Sequence, residues 1–327
     1  MQLGIRLHDV NTDLAPEFQT LESRAEKAGE EGFSCVHLAF SKVMKGITFD
    51  ACALNEGLAR YTKRVLDKNG LDLAVLGCYL NLAHPDPEKL KEIQGKYYAH
   101  LRLASLMDAC VMGTETGAPN PEYKLDANTH TEEALETFIR GLEPVVECAE
   151  HYGVTMAIEP VWNHIVYNAD RALQVLKSIG SHNLRIILDP VNLLYPGNVD
   201  EKEAVFGDAM EKLADYIAVV HLKDYVVEDG KMKSIAAGTG DMDYKEILRF
   251  MKARKPYIYA TLENTVNSNA ESSGNFWRSF TPNCKSAILV HTAKNGRGMF
   301  PIMSPAACHY SERVLAHFTR PSMAGRS

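Results

Sequence analysis

Residues 217–222 read Ile-Ala-Val-Val-His-Leu. Five of the six are apolar, and they do not alternate with polar ones. A run of this kind predicts a strand covered on both faces, as in a parallel sheet. Within it, Ala218–Leu222 is one of eight such segments. The others are Gln2–Leu7, Ser34–Phe40, Leu73–Leu80, Ala109–Gly113, Val154–Glu159, Arg185–Asp189 and Ile258–Glu263. Between them lie Leu14–Glu31, Leu54–Lys68, Pro87–Leu106, Thr131–His151, Ala169–Ile179, Lys202–Leu213 and Tyr244–Ala253. There apolar residues recur every three or four positions, as one buried helix face requires. Thr131 followed by Ala134, Leu135, Phe138 and Leu142 shows the period. Asp50, Thr131 and Asp243 are candidate N-caps. Strand–helix alternation builds right-handed βαβ units, and eight of them close into a (β/α)8 TIM barrel. The competing architecture is a doubly wound open sheet, but no G-x-G-x-x-G follows the first strand.

In such a barrel the C-terminal strand ends converge on one mouth. The last four segments end on or beside Glu159, Asp189, His221 and Glu263, at spacings of 30, 32 and 42 residues. Each spacing is about one βα unit, the last with an insertion. A lone carboxylate at a strand end reads as a solvated terminus or a salt bridge. Four metal-competent groups on consecutive strands read as a site. Three carboxylates and an imidazole suit one divalent ion, with Mn2+ foremost and Mg2+ or Co2+ as alternatives, and leave positions open for substrate oxygens.

These residues sit in short motifs: Ala157-Ile-Glu-Pro160, Leu188-Asp-Pro-Val-Asn192, Val220-His-Leu-Lys-Asp224, Gly238-Thr-Gly-Asp-Met-Asp243 and Leu262-Glu-Asn264. In this order they resemble the xylose isomerase-like barrel superfamily over roughly residues 1–266. The likeness is to its sugar isomerase/epimerase branch, which includes the tagatose 3-epimerase and hydroxypyruvate isomerase types. The resemblance implies a TIM barrel and the metal ligands Glu159, Asp189, His221 and Glu263. It implies that Glu159 and Glu263 are the catalytic acid and base. A ketose or hydroxy-ketone would chelate the ion, which stabilises an enediolate while a carboxylate moves the adjacent proton. The same barrel serves dehydratases of the inosose or dehydroshikimate type, which expel a β-hydroxyl instead; that is the alternative reading. An apurinic endonuclease would need more histidines at the strand ends, and a non-enzymatic binding module would keep the ligands without turnover. Two departures weaken transfer of the tagatose 3-epimerase activity in particular. Asn192 stands where that branch often has a histidine, and Tyr225, Val226 and Val227 occupy the segment where it places an arginine.

Six residues are candidate substrate contacts: Trp162, Asn163, His164, Asn192, Lys223 and Glu115. Trp162 would stack on a sugar face, or else pack beneath its loop. His164 would donate to hydroxyls, or else be merely solvated. Lys223, two residues past His221, points to the same side of its strand and would hold an acidic group, or else pair with Asp224. Glu115 ends the fourth strand. Cys78 reads as a small buried thiol, and His8 and His37 as core or mouth residues.

The 327 residues are 46% hydrophobic and 24% charged, the composition of a chain with a sizeable core. The net charge of −7 lacks the basic balance of a phosphate-backbone binder. No run approaches the roughly 18 apolar residues of a membrane span, and the first residues do not read as a secretory signal. Seven cysteines at irregular spacing, with no C-x-x-C, read as free thiols in a reducing compartment. The expectation is a cytoplasmic enzyme with a small-molecule sugar or polyol-ketone substrate, no nucleic-acid partner and no membrane partner; a homo-oligomer fits the resemblance. Residues 1–269 are assigned to the barrel. Residues 270–327 change character: seven Lys/Arg and two Asp/Glu give +5, against −12 before them. With Gly274 interrupting any closing helix, they read as an atypical basic C-terminal extension, disordered or aberrant.

Overall fold

The computed structural model describes residues 1–47 and 49–279. The elements run β1 (Gln2–Arg6), α1 (Leu21–Glu30), β2 (Cys35–Leu38), α2 (Phe40–Val43), α3 (Glu56–Lys68), β3 (Asp72–Gly77), α4 (Pro87–Leu106), β4 (Val111–Glu115), α5 (Glu132–Tyr152), β5 (Met156–Glu159), α6 (Ala169–Ile179), β6 (Leu184–Leu188), α7 (Lys202–Leu213), β7 (Ile217–Leu222), β8 (Asp224–Glu228), β9 (Lys231–Ile235), α8 (Lys245–Arg254), β10 (Tyr259–Leu262) and α9 (Asn267–Ser279). Eight strands close a barrel in the order β1-β10-β7-β6-β5-β4-β3-β2. All eight pairings are parallel, including the seam where Gln2–Ile5 meets Tyr259–Leu262. This is the (β/α)8 TIM barrel that the apolar runs predict.

Two layers of core follow from strands buried on both faces. Cys35, Ala74, Val75, Val111, Ala157, Ile187 and Val219 fill the barrel interior. A larger shell, including Leu38, Leu76, Phe138, Ile158, Val175 and Leu262, packs the outer strand faces against the helices. Gly141 of α5 allows close helix packing, because a Cβ there would collide with the backbone carbonyl of Leu82.

Thr131 caps α5 as its sequence suggests, its hydroxyl accepting from Ala134 N–H at 3.2 Å. Asp243 accepts from Lys245 N–H at 3.0 Å, but it stands one residue before the N-cap of α8, which is Tyr244. Two further helix starts differ from the sequence reading. Leu14–Glu31 is not one helix: Pro16–Phe18 forms a short 3-10 turn, and α1 begins after Thr20, whose hydroxyl accepts from Ser23 N–H. Asp50 serves a turn through Cys52 and Ala53 N–H, while Asn55 caps α3.

The insertion between His221 and Glu263 is the antiparallel hairpin β8–β9, which apolar-run counting passes over. Asp224 anchors its base by accepting from the backbone N–H groups of Tyr225, Gly238 and Met242. The segment after β10 also differs from expectation. Residues 267–279 form a helix that runs through Gly274, and Ala270, Ser273 and Trp277 are buried. The Trp277 ring meets Tyr244 edge-on, centroids 4.6 Å apart. The rest of the basic extension, from residue 280, lies outside the described residues. The five described cysteines are free thiols, and no described helix is long and apolar enough to cross a membrane.

Candidate metal centre and active site

The rim of a parallel barrel collects strand ends, and here it collects charge. Glu159 is the last residue of β5, Asp189 and Glu263 directly follow β6 and β10, and His221 lies within β7. All four are buried, at 5% exposure or less. His221 Nδ1 lies 3.4 Å from Glu159 Oε1 and 3.2 Å from Glu263 Oε1. The ligand atoms of Glu159, Asp189 and His221 lie within 4.8 Å of one another. Donors bound at about 2.1 Å to one hard cation stand roughly 3 Å apart or a little more. Glu159, Asp189 and His221 form one group near this spacing, and Glu263 joins His221 and His37 in a neighbouring one, so His221 is the residue common to both; the oxygen-rich donor set suits a hard divalent ion.

Each carboxylate is also tied to the protein. Asp189 Oδ1 accepts from Val191 and Asn192 N–H at 2.9 and 3.2 Å, while its Oδ2 lies 2.9 Å from Lys223 Nζ. Asn192 bridges the site: its amide donates to Glu159 Oε1 and its carbonyl oxygen accepts from Lys223 Nζ, both at 2.6 Å. Glu263 Oε2 accepts from Arg6 Nη1 at 3.0 Å, and Arg6 also holds both Asp9 oxygens and Asn264 Oδ1. Tyr244 positions Lys223 from behind, accepting from its N–H and donating to its carbonyl.

Burial works against every charge here, and neighbours decide the outcome. For His221, burial lowers the pKa, but Glu263 and Glu159 overcome it and raise it to about 9. Asp189 is pushed up to about 6 by burial, against the pull of Lys223. For Glu159 burial is outweighed by His221, and for Glu263 by Arg6 and His221, so both stay below the usual carboxylate range. Without a metal, the imidazolium, Lys223 and Arg6 balance the three acids.

A second layer comes from β2 and β3. His37 stacks on His221 with centroids 5.1 Å apart and accepts from or donates to Tyr79 Oη at 2.7 Å. Its Nδ1 faces Glu263 Oε1 at 3.6 Å, and His37, His221 and Glu263 form a second potential ligand group. His8 meets His37 edge-on at 6.1 Å. Cys78 is buried in the core. Arg6 and Tyr79 are the site residues that the sequence reading passes over. The signal for Arg6 is present: it is a charge at the end of an apolar strand, the rule that finds Glu159.

The substrate-side candidates divide. Asn192 and Lys223 lie within the cluster, and Lys223 pairs with Asp189 rather than Asp224. Glu115 pairs in register with Glu159, and His164 Nε2 lies 3.9 Å from its Oε2. Glu115 is raised to about 7, first by burial and then by the Glu159 charge. Burial lowers His164 to about 4, which leaves it neutral near pH 7. Trp162 stacks on Tyr195, centroids 5.5 Å apart, on the wall of a groove of about 580 Å3 that also includes His130, Tyr167, Asn198 and Asp208. Its backbone N–H donates to Asn192 O at 2.7 Å. Asn163 is half-buried in the same loop.

Comparison with known proteins agrees with the architecture. A family model described as the xylose isomerase-like TIM barrel matches residues 25–279. The chain is 27% identical over 171 residues to a probable L-ribulose-5-phosphate 3-epimerase, UlaE, of Mycoplasma pneumoniae, across 50% of this chain and 53% of that protein. It thus spans about half the length of that relative. A solved D-tagatose 3-epimerase-like protein superposes with a TM-score of 0.67 at 18% identity, across 86% of this chain and 97% of the other. The probable 3-DHS dehydratase AsbF of Bacillus anthracis superposes at 0.64 with 15% identity, across 85% and 98%. At such identities the structural likeness speaks to fold alone.

Proposed function

The chain belongs to the xylose isomerase-like TIM barrel family, and on that premise we propose that it is a divalent-metal-dependent sugar isomerase or epimerase acting on a ketose or related hydroxy-ketone. The observation that carries this reading is the buried group Glu159, Asp189 and His221, with ligand atoms within 4.8 Å of one another, and Glu263 Oε1 beside the same His221 nitrogen as Glu159 Oε1. The partial match to a named 3-epimerase supports the reaction class.

The four residues would hold Mn2+ foremost, with Mg2+ or Co2+ as alternatives. When bound, the ion supplies a Lewis acid for a substrate carbonyl and its neighbouring hydroxyl. Glu159 and Glu263 project from β5 and β10, separated in the barrel by β6 and β7. One removes the proton beside the carbonyl and the other returns one from a different direction. Return to the same carbon inverts it; return to the neighbouring carbon isomerises. Lys223 and Asn192 keep Asp189 and Glu159 oriented, and Arg6 and His37 keep Glu263 so. The five free thiols support a reducing, cytoplasmic setting.

The test is a panel of ketoses, inososes and hydroxypyruvate with Mn2+, followed by NMR in deuterated water. An epimer carrying one deuterium identifies an epimerase, an aldose an isomerase, and a dehydrated product a lyase. Glu159→Gln and Glu263→Gln should each abolish exchange of the α-proton. Full exchange in either variant removes that residue from the acid/base role.

A further inference from the structure

At the barrel mouth lies a polar corner that the metal ligands do not use. Glu115 ends β4 in register with Glu159 of β5, and neighbouring strands lie about 4.8 Å apart. The two carboxylates differ in depth: the Glu115 side chain is 33% exposed and that of Glu159 4%. Glu115 is the outer one, met first by a molecule entering from solvent. His164 is 8% exposed, with Nε2 3.9 Å from Glu115 Oε2. The Tyr123 ring meets His164 edge-on, centroids 5.3 Å apart. Gly117 makes this packing possible: at φ +67°, a Cβ there would strike the Tyr123 ring and Asn81. Tyr123 Oη and His164 Nδ1 are buried and have no hydrogen-bond partner among the described residues. Groups in that state call for a ligand with hydroxyls of its own.

Charge decides the class of ligand. Apart from His221, the two side-chain cations described in the site are already engaged: Arg6 with Asp9, Glu263 and Asn264, and Lys223 with Asp189 and Asn192. The corner offers a carboxylate, a phenol and an imidazole. A phosphate dianion there would meet the charge of Glu159 and the partly ionised carboxyl of Glu115 at short range. Vicinal hydroxyls meet only complementary groups: a carboxylate accepts from two of them, and phenol and imidazole both donate and accept.

We propose that Glu115, His164 and Tyr123 bind the hydroxyl-bearing end of a neutral, unphosphorylated sugar or polyol, and thereby select against sugar phosphates. The proposal rests on the reading of the centre as a sugar-transforming site and names its substrate class.

The experiment uses the full-length Mn2+-loaded protein. Turnover of ketopentoses and ketohexoses is compared with that of their terminal phosphates. Calorimetry follows binding of the matching alditols and alditol phosphates, which cannot react. The free sugars should exceed their phosphates by about tenfold or more in kcat/KM. Glu115→Gln should raise KM for free sugars about tenfold, more than it lowers kcat, and should weaken alditol binding but not alditol-phosphate binding. Tyr123→Phe, which deletes one hydroxyl, should shift alditol binding the same way. Phosphates bound as well as free sugars, or alditol binding unchanged by Glu115→Gln, would overturn the proposal. Glu115-dependent alditol binding without α-proton exchange on any ketose would sustain this corner while overturning the isomerase reading. Exchange confined to phosphates would do the reverse.

Discussion

Arg6 Nη1 donates to Glu263 Oε2 at 3.0 Å, joining the end of the first barrel strand to the end of the last across 257 residues of chain. The pair is well buried, with side chains 19% and 6% exposed. Removing one partner of such a pair leaves a charge uncompensated, at a cost of about 3 kcal/mol. Arg6→Met should therefore lower the stability of the metal-free protein by about that amount, and Arg6→Lys by less. The pH dependence has a definite sign. Glu263 titrates below its ordinary range in the folded chain, so its contribution is full above the unfolded carboxylate pKa of about 4.3 and is lost as pH falls through the folded value. Urea unfolding between pH 3 and 7 checks this: Arg6→Met should flatten the acid limb, and an unchanged slope would exclude the linkage.

His221 sets a second pH dependence. In the metal-free protein its pKa is raised to about 9, and a ligating imidazole must be neutral. Ion binding should release one proton per ion at pH 7–8, and affinity should climb about tenfold per pH unit until it levels near pH 9. Below pH 6, Asp189 should add a second proton. Calorimetric titration of Mn2+ in buffers of different ionisation enthalpy measures the release. A heat independent of buffer would contradict it.

Asn192 touches Glu159 and Lys223 at once. Its removal should loosen both Glu159, the proposed acid/base glutamate, and the cation beside Asp189. Loss of a partner that orients a ligand costs about 10–100-fold in activity or metal affinity. Asn192→Ala should show a fall of that size in kcat for α-proton exchange, with the fold intact by circular dichroism. Wild-type exchange would place Asn192 outside the machinery.

Trp277 reaches the site through one intermediary. It packs on Tyr244, whose hydroxyl holds both backbone groups of Lys223. Trp277→Ala should cost about 3–5 kcal/mol, as large buried aromatics do on truncation, and should lower the melting temperature accordingly. Tyr244→Phe removes only the hydroxyl and should lower exchange activity more than stability. A melting temperature unmoved by Trp277→Ala would detach α9 from the core.

The legible parts of this molecule are those where a local pattern and a global constraint coincide. Ile217–Leu222 is apolar because β7 is covered on both faces, and His221 stands out within it as a buried imidazole among aliphatic side chains. The same contrast marks Glu159, Asp189 and Glu263. Arg6 obeys the rule too, but its purpose depends on Glu263, and only closure of the barrel brings them together. Tyr79 and Tyr244 carry no such contrast, since aromatic residues belong in cores. The β8–β9 hairpin escapes because its exposed strand Lys231–Ile235 lacks an apolar run. The helix at 267–279 escapes because Gly274 reads as a break, whereas the helix runs through it with Gly274 buried on the same side as Trp277.

Closure by parallel pairing of Gln2–Ile5 with Tyr259–Leu262 has a consequence for biosynthesis. Glu263, the last of the four proposed ligands, is translated last and lies beside that seam, so on this proposal a growing chain owns three of them long before it can own a site. Ribosome-bound intermediates would therefore emerge chemically silent, and loading with the cation would report that the two ends of the barrel have found each other.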